Sequence, residues 1–140
     1  MTRILQFNDG FTSSSAPDIS GATLYEPYTI LNATLGGSLF TIDSTEHTTA
    51  FVQYELSRSD VSNTYYQQGT FILAYDGTTW AIVPGNYVGV PMLKDTTESI
   101  DNPWEIIIDI SGSGVLTYDS GNMGLSYNGV LKLNITRIQA

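Results

Sequence analysis

The chain holds one histidine and no cysteine, and its acidic residues number fourteen. These groups set what chemistry is open to it. His47 follows Glu46 inside a run of threonines. As a general base it would need a nucleophile and an orienting carboxylate within reach, and the threonine-rich setting reads instead as a turn between strands. One imidazole without a thiolate falls short of the three or four ligands that zinc takes. Asp95, Glu98 and Asp101 could offer oxygens to calcium, but no Asp-x-Asp pair or EF-hand spacing accompanies them. A solvated acidic loop is expected there. No two carboxylates stand out as an acid pair for glycoside hydrolysis. Gly112-Ser113-Gly114 has no helix after it with which to cradle a phosphate. Asn32-Ala33-Thr34 and Asn134-Ile135-Thr136 match the glycosylation acceptor pattern, which carries weight only beside a secretory signal. The expectation is a protein that is not an enzyme, with no catalytic residue, no metal and no cofactor.

Aromatic residues offer a different chemistry. The nine tyrosines include Tyr65-Tyr66 and Tyr87, which fall nearest to predicted loops. Two readings stand for them: packing within a sheet, or a surface that stacks on sugar rings or a protein partner. Phe7 and Phe11 sit in a polar N-terminal stretch, where large exposed aromatics point to docking. Phe7, Phe11, Tyr65, Tyr66 and Tyr87 are therefore the candidate interaction residues.

The elements that position them read as strands throughout. In GTFILAYDGTTWAIV, residues 69–83, two β-rich runs meet at Asp76-Gly77, a strong hairpin signal because glycine supplies the positive φ that tight turns need. Apolar side chains on both sides of this hairpin predict a central pair in a β-sandwich. In residues 49–58, Val52, Tyr54 and Leu56 alternate with Gln53, Glu55 and Ser57, with Phe51 out of pattern. Strands are also predicted over residues 28–34, 39–42, 64–75 (with a bulge or bend at Gly69), 104–110, 115–118 and 130–138. In the last, Leu131, Leu133 and Ile135 face the core, and Lys132, Asn134 and Thr136 face water. Residues 84–103 hold three prolines and no alternation, which predicts a long loop with a one-turn helix near 94–99. No stretch of ten residues has a helical period, and no internal repeat is present. The fold class is all-β: a single antiparallel β-sandwich, jelly-roll or Ig-like, of about seven to nine strands. Residues 1–18 form a short N-terminal arm and residues 19–140 the sandwich domain.

Composition supports one soluble-type core and narrows the partners. Apolar residues are 41% of the chain and charged residues only 14%, so the surface is solvated by hydroxyls and amides more than by ions. The net charge is −9 and the five basic residues are scattered. Nucleic acid and anionic membranes, which need clustered Lys and Arg, are not expected partners. No apolar run is long enough to cross a bilayer as a helix, and the N-terminus lacks a secretory pattern. Release by cell lysis or assembly in the cytoplasm is expected over ordinary secretion.

Three segments carry a resemblance: FVQYELSRSD at 51–60, GTFILAYDGTTWAIV at 69–83, and ISGSGVLTYDSGNMGLSYNGVLKLNITRI at 110–138. An apolar-aromatic strand ends in a basic residue (Val52 to Arg58), followed by a Gly-Thr strand entering an x-Gly-Thr-Thr hairpin. An Ile-Ser-Gly pair of strands and a closing Leu-Lys-x-x-Ile-x-Arg-Ile strand complete the pattern. Together they resemble a β-sandwich domain of tailed-bacteriophage virion proteins, found in capsid decoration (cement) proteins and at the ends of tail fibres. The chain departs from that pattern in its 84–103 insertion. A single sandwich with a short arm and no fibrous region leads us to expect the decoration role. The resemblance then implies a homotrimer on the capsid exterior of the virion, binding the major capsid protein and stabilising the head by mass action. The alternative it implies is a receptor-binding or tail-fibre tip module recognising host glycans.

Overall fold

A computed structural model of the protein describes residues 23–83 and 92–140. Among them nine strands run in chain order: β1 (Thr23–Thr29), β2 (Gly37–Thr41), β3 (His47–Ser59), β4 (Thr64–Tyr75), β5 (Trp80–Val83), β6 (Leu93–Lys94), β7 (Ile106–Ile110), β8 (Val115–Ser120) and β9 (Asn128–Gln139). They form a five-stranded sheet in the order β1-β9-β3-β4-β5 and a four-stranded sheet in the order β2-β8-β7-β6. The expected all-β sandwich is what is found. Every pairing is antiparallel except β6 with β7, which is parallel. The arm at 1–18, with Phe7 and Phe11, and the loop residue Tyr87 lie outside the described residues.

Among the described residues, the pairing of the first two and last two strands decides between the two sandwich types expected. β1 pairs with β9 in one sheet, while β2 pairs with β8 in the other. An Ig sandwich keeps its first two strands in one sheet. Here they part at once, and the wrapping is of the jelly-roll kind. The chain departs from a full jelly roll after β3, because β3, β4 and β5 stay together as a meander.

The 69–83 hairpin sits at the edge of its sheet and not at the centre. β5 is four residues long and pairs only with β4, whereas β3, at thirteen residues, lies between β4 and β9. The hairpin's double-sided apolarity has another cause: Leu73 and Trp80 face the sandwich core, while Ile72 and Val83 pair on the outer face. Its loop runs over four residues, Tyr75 pairing with Trp80. Gly77 takes φ +98°, and the Asp76 carboxylate accepts the N–H groups of Thr78 and Thr79, both at 2.8 Å. No bulge occurs at Gly69, since the β3–β4 register is unbroken from Thr49↔Ala74 to Ser59↔Thr64. Gly69 lies opposite the buried Tyr54. Neither is there a helix near 94–99: β6 ends at Lys94, and Glu98 N–H closes a turn on Asp95 O. Trp104 belongs to the turn before β7, which starts at Ile106.

The core lies between the sheets. Period-two alternation sends Val52, Tyr54 and Leu56 of β3 and Leu131, Leu133 and Ile135 of β9 inward, against Ile106, Ile108 and Leu116 of the other sheet. Truncating one of these leucines to alanine is worth about 2–5 kcal/mol.

At one end of the sandwich the core turns polar. Arg58 continues the inward phase of β3 and is fully buried. Its Nε donates to Tyr127 Oη (3.0 Å), one terminal nitrogen donates to the carbonyls of Pro103 (3.0 Å) and Glu105 (3.1 Å), and the other donates to Gly121 O (2.9 Å) and Asn32 Oδ1 (3.4 Å). The guanidinium also lies over the Tyr127 ring, 5.1 Å from its centroid. All five N–H donors of the fork are thus used. This single side chain ties the loops 30–36, 102–105 and 121–127 to the end of β3. Tyr127 passes the network on by donating to Ile30 O at 2.7 Å.

Candidate functional site

Most of the carboxylates have structural duties. Asp43, Asp60, Asp76 and Asp95 each begin an Asp-x-Ser/Thr triplet, and each accepts the N–H of the Ser or Thr two residues on. Such Asx turns close the backbone of a tight loop with a side chain. The bonds favour the ionised form. The backbone N–H of Ser62, then of Asn63, holds Asp60 below the usual carboxylate range. Asp76 is held down in the same way by Thr79 and Thr78, Asp43 by Thr45, and Asp95 by the Thr97 hydroxyl and N–H.

The acidic loop expected at 95–101 closes on a buried lysine. Lys94 Nζ lies 2.8 Å from Asp101, 3.3 Å from Glu105 and 3.9 Å from Glu98. Its hydrogen bond to Asp101, and then its pairing with Glu105, raise the Lys94 ammonium above its ordinary value. Burial pushes the Glu105 carboxyl up, but the N–H groups of Asp101 (2.7 Å) and Asn102 (3.0 Å) and the Lys94 ammonium outweigh it and hold it low. The arrangement is a clamp for the approach to β7, with its oxygens already occupied. His47 is buried at the first position of β3, where its backbone N–H donates to Asp43 O at 2.9 Å.

Tyr65 and Tyr66 part company, as neighbours on a strand must. Tyr65 turns inward beside Arg58 and stacks on Trp104, centroids 4.6 Å apart and planes 19° from parallel. Tyr66 turns outward and is 62% exposed. It stands at one end of a shallow trough on the outer face of the five-stranded sheet.

Register defines that trough row by row. Val130, Ser57 and Tyr66 make the first row; Lys132, Glu55 and Gln68 the second; Asn134, Gln53 and Thr70 the third; Thr136, Phe51, Ile72 and Val83 the fourth. Two adjoining depressions, of about 360 Å³ over the middle rows and about 420 Å³ toward Phe51, share Gln53. In the second row Gln68 donates to Glu55 at 3.1 Å and Lys132 lies 3.6 Å from the same carboxylate. In the third row no hydrogen bond engages the side chains of Gln53, Asn134 or Thr70 among the described residues. Phe51, the residue out of pattern in its strand, is 42% exposed here. Gln53, Gln68, Asn134 and Phe51 were not among the candidate residues of the sequence. The outward phase of Gln53 and Asn134 was legible, but their adjacency arises from the pairing of strands eighty residues apart.

The chain matches no protein-family model and no curated protein. Among solved structures it is similar to the tailspike protein of Acinetobacter phage vB_ApiP_P1, with a TM-score of 0.50 at 14% identity. The likeness covers 97% of this chain and 28% of that one. The chain thus spans well under a third of the spike's length, and what is shared at this identity is the fold.

Proposed function

We propose that this protein is a bacteriophage virion component acting at the tail, a receptor-binding β-sandwich module that recognises glycans of the host surface. The observation that carries this reading is the likeness to a phage tailspike across nearly the whole of the described fold. The outer trough agrees with it, since amides flanked by aromatic faces suit hydroxylated rings. The decoration role expected from the sequence shares the virion setting, but a solved protein of similar fold is a tailspike, and the tail reading is preferred for that reason. We propose further that the module binds without cleaving, because its acidic side chains in the turns and the 94–105 clamp already have partners, and that it assembles as a homotrimer in the virion.

Two measurements test this. Purified protein added in excess to host cells is expected to block adsorption of the phage that encodes it, and gel densitometry is expected to find a handful of copies per virion. Hundreds of copies, with purified protein binding and heat-stabilising heads that lack it, would restore the decoration reading.

A further inference from the structure

Several charged side chains among the described residues are bonded to the protein itself. Arg58 uses every donor, Lys94 is surrounded by acceptors, and the aspartates of four turns hold backbone N–H groups. The amides of Gln53 and Asn134 differ from these. They are paired across β3 and β9, lie on an open face, and engage no other described residue. Each has two donors and an acceptor to offer. Tyr66 and Phe51 bound the row on either side, six residues apart along the sheet, about 20 Å at the rise of a β-strand. Aromatic faces at the ends of a row of amides suit a chain of pyranose rings, whose faces are apolar and whose edges carry hydroxyls.

Charge then narrows the ligand. The protein carries −9 overall. Of the described basic residues, Arg58 and Lys94 are buried among their acceptors, and Arg137 turns toward the inner face beside Ala50. Lys132, the one described cation of the trough, is tied to Glu55. A polyanionic glycan would meet a like-signed field and no arginine fork to offset it. We infer that the trough on the outer face of the five-stranded sheet binds an uncharged glycan, its rings stacked on Tyr66 and Phe51 and its hydroxyls bonded to Gln53 and Asn134; this rests on the receptor-binding reading above.

The test uses the full chain against immobilised oligosaccharides of neutral hexoses and N-acetylhexosamines, and matched ones bearing carboxylates or sulfates. Binding is expected to the uncharged set, with little change between low and high salt. Tyr66→Ala, and the pair Gln53→Ala with Asn134→Ala, are each expected to weaken it about tenfold or more while leaving thermal melting unchanged. Preference for the charged sugars with steep salt dependence overturns the inference, as does neutral-sugar binding that both variants retain. If Gln53→Arg instead breaks up an oligomer seen by light scattering, the face is an interface between copies and the inference fails. Adsorption competition separates these failures from failure of the parent reading. Wild-type protein that competes, with trough variants competing equally, removes the site but keeps the receptor role. Wild-type protein that neither binds sugars nor competes removes both.

Discussion

β3 carries two contrasting polar regions five residues apart. At its inner end Arg58 is sealed from water and makes five hydrogen bonds. On its outer face Gln53 is exposed and makes none to another described side chain. Both are polar residues on one strand, and the sheet's pleat alone separates their fates. A buried donor left unbonded is costly, so the inward arginine recruits carbonyls from three loops and becomes part of the scaffold. An outward amide is solvated at no cost and stays available. Groups that hold the fold are thereby distinguished from groups free to hold something else.

The contrast is broken most severely at Arg58. Arg58→Met should leave buried carbonyl oxygens without donors and lower stability by about 3–5 kcal/mol, read as a fall in urea midpoint. Arg58→Lys should recover little of it, because an ammonium cannot satisfy a planar set of five acceptors. Next in size is Gly114, where φ is +93° and an added Cβ would collide with Ile42 O. Gly114→Ala should cost about 1–3 kcal/mol, again by denaturant melting, and leave the trough's binding intact at low temperature.

Acid should weaken the scaffold while sparing the amides. The folded values of Glu105 and of Asp43, Asp60, Asp76, Asp95 and Asp101 are all depressed. Groups depressed on folding add stability that is fully present above their ordinary values, 4.5 for Glu105 and 3.8 for the aspartates, and lost as pH falls through the folded ones. Melting temperature should therefore hold near neutrality and drop below about pH 4, and Glu105→Gln should lower the neutral plateau and flatten the decline. Lys94, raised on folding, works in the other direction: its share persists below its ordinary 10.5 and fades as pH rises beyond it. The smallest effects belong to the trough. Gln53→Ala and Asn134→Ala should shift stability by no more than about 0.5 kcal/mol. A larger loss would show that these amides serve the fold, and would erase the contrast.

Much of the molecule is legible in the chain. Alternation in residues 49–58 and 130–138 identifies two long strands and their inward residues, and it puts Arg58 in the buried phase with Val52, Tyr54 and Leu56. Asp-x-Ser/Thr spacing fits four of the turns, although Asp109-Ile110-Ser111 shares it at the end of β7, where no such turn forms. These properties are local, set by the pleat's period of two and by a side chain reaching two residues along its own backbone. What no local rule contains is which strands meet. The 69–83 hairpin has the apolarity of a central pair, yet β9 takes the place beside β3 and leaves β5 at the edge. Leu93 and Lys94, within a stretch that reads as loop, join a sheet as β6. The candidate site has the same origin: Gln53 and Asn134 read separately as solvated positions, and only the β3–β9 register makes them neighbours. Tyr65 and Tyr66, for which packing and a contact surface are both open readings in the sequence, are divided by the sheet between core and solvent. Pairing depends on burying two sheets' inner faces at once, a condition on the whole chain, so tertiary structure alone decided it.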